Sequence, residues 1–458
     1  MAATDTIHSE LRTLRALSTG SVVAAGDADY DEARLAWNLA ADQRPAAVVF
    51  PETDSDVSFA VAFAREAGLR VNVQGTGHNA TPLGDMSDTL LIRTNRMKGV
   101  EIDAAGRRAR VQAGAEWADV TGPASEHGLA ALAGSSPNVG VVGYSLGGGI
   151  GYLGRKHGIQ ANSVTAIELV TADGEHRRVT AERDPELFWA MRGGGGNFGV
   201  VTALEFRLYP LPELFGGALM WPWEHAESVF KRWRDWTSNV PDDVTSMARI
   251  IQFPPIDDVP EFLRGRQMVV ITAAYAGDAQ TGALLMEPLT ELGPEINTFG
   301  PMPPSALSYL HMDPEGPVPG LSDTAMLDSL PDEAIETIIE KAGPGSDSVM
   351  LITELRHMGG AFARAEDGHG ALAKIDGEYI AFAVGMVMSP EMGEALARQT
   401  GALMEALAPH GRGRKYLNFV EHRTETRSGY ADDAYARLQA VREKVDPDYL
   451  FRANHEIA

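Results

Sequence analysis

No cysteine occurs among the 458 residues, and this absence removes a disulfide framework, a thiolate nucleophile, a cysteine zinc site and an iron–sulfur cluster together. Long apolar runs are missing too: no stretch of about 18 consecutive apolar residues is found, so no membrane span is expected. Basic residues are scarce, 39 Lys plus Arg against 63 Asp plus Glu, which leaves a net charge of −24. That balance repels phosphate backbones and anionic lipid, and no basic stripe reverses it locally, so neither nucleic acid nor a membrane is an expected partner. There is no Walker sequence and no H-E-x-x-H pair, and no metal site is expected. The first residues, MAATDTIHSELRTLRA, lack an apolar core between a basic flank and a small-residue cleavage site, which makes the cytoplasm the default expectation.

What is present has the make-up of a folded protein, 44% hydrophobic and 22% charged, long enough for two or three domains of roughly 150 residues each. From Arg44 to about Pro210, short apolar runs alternate with amphipathic helices in an α+β pattern. Ala46 to Phe50, Val71 to Val73 and Thr89 to Thr94 read as strands, and Asp54 to Ala67 as a helix stopped by Gly68. Hairpin turns are expected at Ala104-Ala105-Gly106 and at Asp173-Gly174, with helices at Glu116 to His127 and Pro185 to Arg192 and a strand from Val200. After Pro212 the pattern changes. Helices at Trp223 to Trp236, Gln280 to Leu292, Asp332 to Lys341 and Pro390 to Leu407 separate strands at Gln267 to Tyr275, Val349 to Leu355 and Tyr379 to Met386, the signature of a second sheet with helices on one face. Prolines between Gly300 and Leu321 predict a long loop, read as surface rather than lid. A strand at Lys415 to Val420 and a helix at Tyr430 to Lys444 close the chain.

Three glycine-rich segments stand out: QGTGHN from Gln74, GSSPNVGVVGYSLGGGIG from Gly134, and RGGGGNFG from Arg192. Dense glycine lets backbone N–H groups approach phosphate oxygens, and two or three such loops in one domain point to a large phosphorylated cofactor; tight sheet turns account for any one of them equally well. GYSLG at Gly143 to Gly147 satisfies the serine-hydrolase elbow, but the glycines after Ser145 each disfavour the required helix by about 1 kcal/mol, leaving hydrolysis through Ser145 as a remote alternative. Two G-x-G-x-x-G matches do not join a strand to a helix, which disfavours a nicotinamide-type site. Taken alone, His78 reads as a hydrogen-bonding loop histidine, and Tyr416 as either a strand aromatic or a catalytic group. Glu354 and Arg356 would share one strand face, fitted to substrate or to each other as an ordinary ion pair.

Together these segments resemble the vanillyl-alcohol oxidase flavoproteins, and within them the berberine bridge enzyme-like FAD-linked oxidoreductases. ELVTADG, DPELFWAMRGGGGNFGVVT, YLNF and DPDYLFRANHEI match further blocks in the expected order. The resemblance implies a two-domain FAD-binding fold: an FAD-binding domain at 1–212 with its core from about residue 44, an inserted antiparallel-sheet substrate domain covered by helices at 213–414, and a C-terminal segment at 415–458 returning to the first domain. It implies FAD as cofactor and His78 as the anchor of a covalent 8α-histidyl link. Flavin contacts are implied for Gln74, Gly75, Thr76, Gly77 and Asn79 of the first loop, although Gln74 and Thr76 depart from the commonest residues there.

In the second loop the resemblance assigns flavin contacts to Ser136, Val139, Gly140, Gly143, Tyr144, Gly147, Gly148 and Gly149, and beyond it to Gly199, Val200 and Asn454. Ser136 stands where many relatives carry a second, cysteinyl link, so one covalent bond is the expected maximum. Gly134 and Val139 match the pair that admits O2 in the family, which favours an oxidase releasing hydrogen peroxide; a dehydrogenase with another acceptor is the near alternative and a non-catalytic flavin binder a remote one. Tyr416 and Asn418 fit the family's Y-x-N catalytic motif, with Lys415, Arg414 or Arg356 as the charge that would favour a tyrosinate. Ala361 and Ala363 follow Gly359-Gly360 where relatives often place Lys and Glu or Gln, which speaks against a carboxylate-assisted ring closure. The implied partners are a small-molecule substrate and O2.

Overall fold

The computed structural model describes residues 11–458; the first ten residues, part of the stretch read as carrying no secretion signal, lie outside the described residues. Among the described residues, three sheets of four or more strands organise the chain, beside a two-stranded pair of Leu129–Ala130 with Tyr209–Pro210. Ala47–Phe50, Thr89–Arg93 and Arg70–Gln74 pair in parallel, and Ser21–Ala24 adds an antiparallel edge. Val48, Val49, Leu90, Leu91 and Ile92 are fully buried, the unbroken apolar run that a sheet covered on both faces requires. Helix Asp54–Glu66 packs on this sheet. It begins at Thr53, whose hydroxyl accepts the Asp56 N–H while the Asp56 carboxylate accepts the Thr53 N–H.

The second sheet is antiparallel, in the order Val100–Asp103, Arg108–Gln112, Val200–Arg207, Val164–Val170, His176–Val179. Both expected hairpin turns join neighbours in it, and Gly174 takes φ +85° at the second tip. The third and largest sheet has eight strands, all antiparallel. Its path runs Ile296–Asn297, Leu214–Pro222, Gln267–Tyr275, Val244–Gln252, Ile352–His357, Tyr379–Met386, Gly320–Leu327, and Gly300–Met302 also pairs with Leu214–Pro222.

Helices Ala226–Thr237, Ala279–Thr290, Asp332–Ala342 and Pro390–Leu407 cover one face of this sheet, burying Trp221, Trp233, Trp236, Ile250, Ile271, Leu355 and Leu403 in one core. Side chains alternate along a strand, so Arg249, Glu354 and Arg356 leave by the other face. There, Tyr152 and Leu153, just past the second glycine-rich segment, pack on Met247, and Ile150 and Tyr416 pack with Ile380 and Met326. The polar face of the large sheet therefore meets the second loop directly. Helix Asp432–Val445 then leads to a tail in which Phe451 bridges to Val71, bringing the chain's end beside the first loop.

Several expectations are corrected. Lys415 to Val420 forms no strand: Tyr416 is extended and leads into a 3-10 turn at Leu417–Phe419, closed by Phe419 N–H to Tyr416 C=O at 2.9 Å. Alternating apolar residues over so short a run do not distinguish the two. The proline-rich stretch holds the strand Gly300–Met302 and a 3-10 helix at Pro304–Tyr309. Leu214–Pro222, Val244–Gln252 and Gly320–Leu327 are strands that the pattern did not show. Leu214–Pro222 is buried along nearly its whole length, so no alternation marks it, and its Gly216-Gly217 pair reads as a breaker. Gly217 is there for space, since a Cβ would lie 2.5 Å from the Phe299 backbone.

Candidate active site

The strand Arg70–Gln74 delivers the first loop. Gly77 takes φ +90°, and a Cβ on it would stand 2.9 Å from Ala36, so only glycine permits the bend that presents His78. Trp37 donates its backbone N–H to Thr76 C=O at 2.9 Å and stacks its ring on the His78 imidazole, centroids 4.0 Å apart and 15° from parallel. His78 Nδ1 bonds Thr76 Oγ1 at 2.8 Å, giving this unusual threonine a side-chain role; His78 Nε2 is buried with no partner. Burial lowers the His78 pKa to about 4 against the opposing pull of the Asn138 side chain and of Asp313, so the imidazole is neutral at pH 7.

The second loop touches the first. A Cβ on Gly140 would lie 3.7 Å from Thr76 Oγ1, and Gly140 caps helix Val141–Leu146. Ser136 Oγ donates to Asn138 Oδ1 at 2.9 Å, and Asn138 Nδ2 reaches Glu315 C=O at 2.9 Å, tying this loop to the proline-rich segment. Val139 C=O accepts from Trp117 N–H at 3.1 Å. Gly134 and Gly149 sandwich the Tyr144 ring, where Cβ atoms would stand 3.0 and 2.4 Å from it, and the Tyr144 hydroxyl donates to Leu132 C=O at 3.0 Å. Gly143 faces open space, while a Cβ on Gly147 would sit 1.8 Å from Asn418 Oδ1. Gly148 takes φ +121° beneath Tyr416.

Ser145 lies inside helix Val141–Leu146, ahead of the glycines, so no strand-to-helix elbow exists; its hydroxyl is buried with no partner and so has no histidine base. Gly199 packs against Leu169, and Val200 is buried in the apolar core with Val71 and Ile92. Asn454 donates its side-chain N–H to the Asn79 carbonyl, so the tail braces the first loop.

Tyr416 is 3% exposed. Its oxygen accepts the Gly149 N–H at 2.9 Å and the Asn418 amide at 3.3 Å, and among the described residues no acceptor takes its own proton. Burial pushes its pKa up to about 12, while the Gly149 N–H, Asn418 and the Arg356 guanidinium favour the phenolate. Lys415 and Arg414 turn elsewhere, to the carbonyls of Thr324 and Tyr430. Arg356 also lies over the Phe419 ring at 4.8 Å, and that ring meets Tyr416 edge-on at 5.1 Å.

Glu354 and Arg356 share one face and bond each other. The pair belongs to a larger cluster that the sequence did not reveal. His311 from the proline-rich segment bonds Glu354 through Nε2 and Asp313 through Nδ1, the latter at 2.5 Å. Met312 between them takes φ +60°, a strained conformation costing about 1–3 kcal/mol that folds the two side chains together. Arg249 donates Nη1 to His311 C=O at 2.7 Å, and Arg356 Nη2 reaches Ser135 Oγ at 3.4 Å. Burial opposes ionisation of Glu354, yet Arg356, His311 and Arg249 hold its carboxyl far below the usual range. Two signals were there to be read: a lone arginine in the apolar run SMARII, and the polar His311 and Asp313 within a proline-rich stretch dismissed as surface.

Several unpartnered buried polar atoms belong to the first two glycine-rich segments or their flanks. Among the described residues, Gln74 Oε1, His78 Nε2, Asn79 Oδ1, Ser145 Oγ and both amide atoms of Gln160 find no hydrogen-bond partner, each a penalty of roughly 1–3 kcal/mol unless a bound group meets it. Such a row of donors and acceptors beside glycine-rich backbone fits a large polar cofactor.

The comparisons with known proteins agree. Residues 45–180 match the FAD binding domain family. The chain is 27% identical to (R)-6-hydroxynicotine oxidase of Paenarthrobacter nicotinovorans, over 96% of each chain, and 26% identical to glucooligosaccharide oxidase of Sarocladium strictum, over 95% of this chain and 93% of that one. Its fold superposes on BBE-like 1 of Physcomitrella patens with a TM-score of 0.84 at 22% identity, covering 98% of this chain and 99% of that one. These matches define an FAD-dependent oxidoreductase. The chain thus carries an FAD binding domain, is similar over nearly its whole length to FAD-linked oxidoreductases, and has the fold of BBE-like proteins and of 6-hydroxy-D-nicotine oxidase.

Proposed function

We propose that the chain is an oxidase that removes a hydride and a proton from a C–OH group, or a C–N group, of a small organic molecule and delivers the two electrons to O2 as hydrogen peroxide. Bound FAD supplies the hydride acceptor and the centre at which O2 is reduced. The chain's own part is binding, orientation and proton handling. His78 would hold the cofactor through one covalent 8α link, a reading supported by its neutral imidazole and its unpartnered nitrogen. Gln74, Asn79 and Gln160 offer polar atoms to the same group. Ser136, bonded to Asn138, provides no second link.

The observation that carries the reading is the Tyr416 oxygen, fixed as an acceptor by Gly149 and Asn418. An ionised Tyr416 takes the proton from the substrate heteroatom as the hydride leaves carbon. Burial opposes that ionisation, so substrate oxidation accelerates as pH rises towards the Tyr416 pKa. Gly134 and Val139 are the residues assigned to O2 access. The test is an alcohol and amine screen read by oxygen uptake and peroxide release. Peroxide formed in equal amount to O2 consumed supports the oxidase; substrate-dependent reduction of a dye without O2 uptake would make the chain a dehydrogenase.

A further inference from the structure

The cluster around His311 can be counted for charge without knowing where each proton sits. Two ring nitrogens each face a carboxylate oxygen, Nδ1 to Asp313 and Nε2 to Glu354, and each contact needs one hydrogen. A neutral imidazole brings one, so one further proton belongs to the trio. With the guanidinium charges of Arg249 and Arg356 against the two carboxylates, the cluster holds one net positive charge whichever atom carries that proton. The group is deeply buried: Arg249 and Glu354 are 0% exposed, His311 5% and Arg356 7%. Among the described residues, the carboxylates that bear on Arg356 are Glu354 and Asp313, both already in the count.

Arg249 adds the geometry. Its Nη1 is used by the His311 carbonyl, but among the described residues Nε and Nη2, both buried, have no partner. Those two atoms form the side-on edge of the guanidinium, whose parallel N–H bonds match the two oxygens of one carboxylate. Arg249 stands opposite Glu354 on the sheet face that meets the second glycine-rich loop, where Arg356 reaches Ser135.

We propose that the substrate of this chain carries a carboxylate, seated on the side-on edge of Arg249, beside the alcohol or amine carbon that is oxidised. The inference rests on the flavin oxidoreductase reading above. A carboxylate brings one negative charge, matching the one uncompensated positive charge, whereas a phosphate monoester brings about −1.5 to −2 and overshoots it. Arg356, bonded to Glu354 and Ser135, holds the cluster against the second loop.

The test titrates the holoenzyme with formate, acetate, glycolate and benzoate, and in parallel with the matching amides, following the flavin absorption spectrum. The expected result is that at least one carboxylate perturbs the spectrum and binds about 10- to 100-fold more tightly than its amide. Arg249→Met abolishes that preference with the flavin retained, and Arg249→Lys keeps the charge but loses the paired N–H edge, leaving a weaker preference. Carboxylates that bind no better than amides across the whole series would overturn the proposal, as would a preference that survives in Arg249→Met. A colourless protein that takes up no flavin would instead sink the oxidoreductase reading itself, so the two failures are distinct.

Discussion

Replacing Tyr416 by Phe removes one oxygen and leaves the ring in place. In the folded protein that oxygen accepts two N–H groups. The Asn418 amide keeps its bond to Tyr144 C=O at 3.0 Å, so only the Gly149 N–H becomes a buried orphan. The stability loss is therefore about 1–3 kcal/mol, small enough to leave a folded, yellow protein. The chemical loss is larger, because a positioned base contributes about 10²- to 10⁴-fold. Stopped-flow reduction of the flavin by substrate under nitrogen should slow by that factor, while reoxidation of the reduced enzyme by O2 stays within about twofold. The pH profile supplies a second readout. A base of pKa about 12 gives a wild-type reduction rate that climbs with pH through the neutral range, whereas Tyr416→Phe gives a flat one. Equal slowing of both half-reactions, or an unchanged pH slope in the variant, would refute the proton-acceptor role.

Other perturbations have equally definite outcomes. Glu354→Gln leaves Arg356, Arg249 and His311 facing only Asp313, and urea unfolding should show a loss of about 3–5 kcal/mol at pH 7. The Glu354 carboxyl is held well below its unfolded range, so its contribution is complete above about pH 4.3 and is lost as pH falls; the gap between wild type and Glu354→Gln should narrow on acidification. Gly147→Ala places a Cβ into the Asn418 side chain and should slow flavin reduction by displacing the amide from Tyr416. Val139→Leu should slow reoxidation by O2 without changing reduction, measured by stopped flow; unchanged O2 kinetics would remove Val139 from oxygen access.

Much of this arrangement is legible in the sequence. Gly77, Gly148 and Gly149 mark bends that only glycine makes, and Gly147 and Gly134 mark contacts too close for a side chain, so the glycine-rich loops were visible as loops. Trp233 and Trp236, three residues apart on helix Ala226–Thr237, fall in the core, as helical periodicity allows. What stayed hidden was long-range. Leu214–Pro222 lacks alternation because both its faces are covered, and His311 reaches Glu354 across 43 residues only because Met312 bends the backbone. Arg249 and Asn138 act through partners distant in sequence, and no local period encodes such a meeting. Trp37 stacks on His78 from a segment preceding the first recognisable block, where no spacing could announce it.

The central claim is that these loops hold FAD through His78. Purified protein is precipitated with acid, and the flavin absorbance of pellet and supernatant is recorded for wild type and His78→Ala. The account predicts a yellow wild-type pellet and a colourless His78→Ala pellet, with any flavin of the variant in the supernatant. Wild-type flavin released wholly to the supernatant, or colour that remains in the His78→Ala pellet, would contradict it.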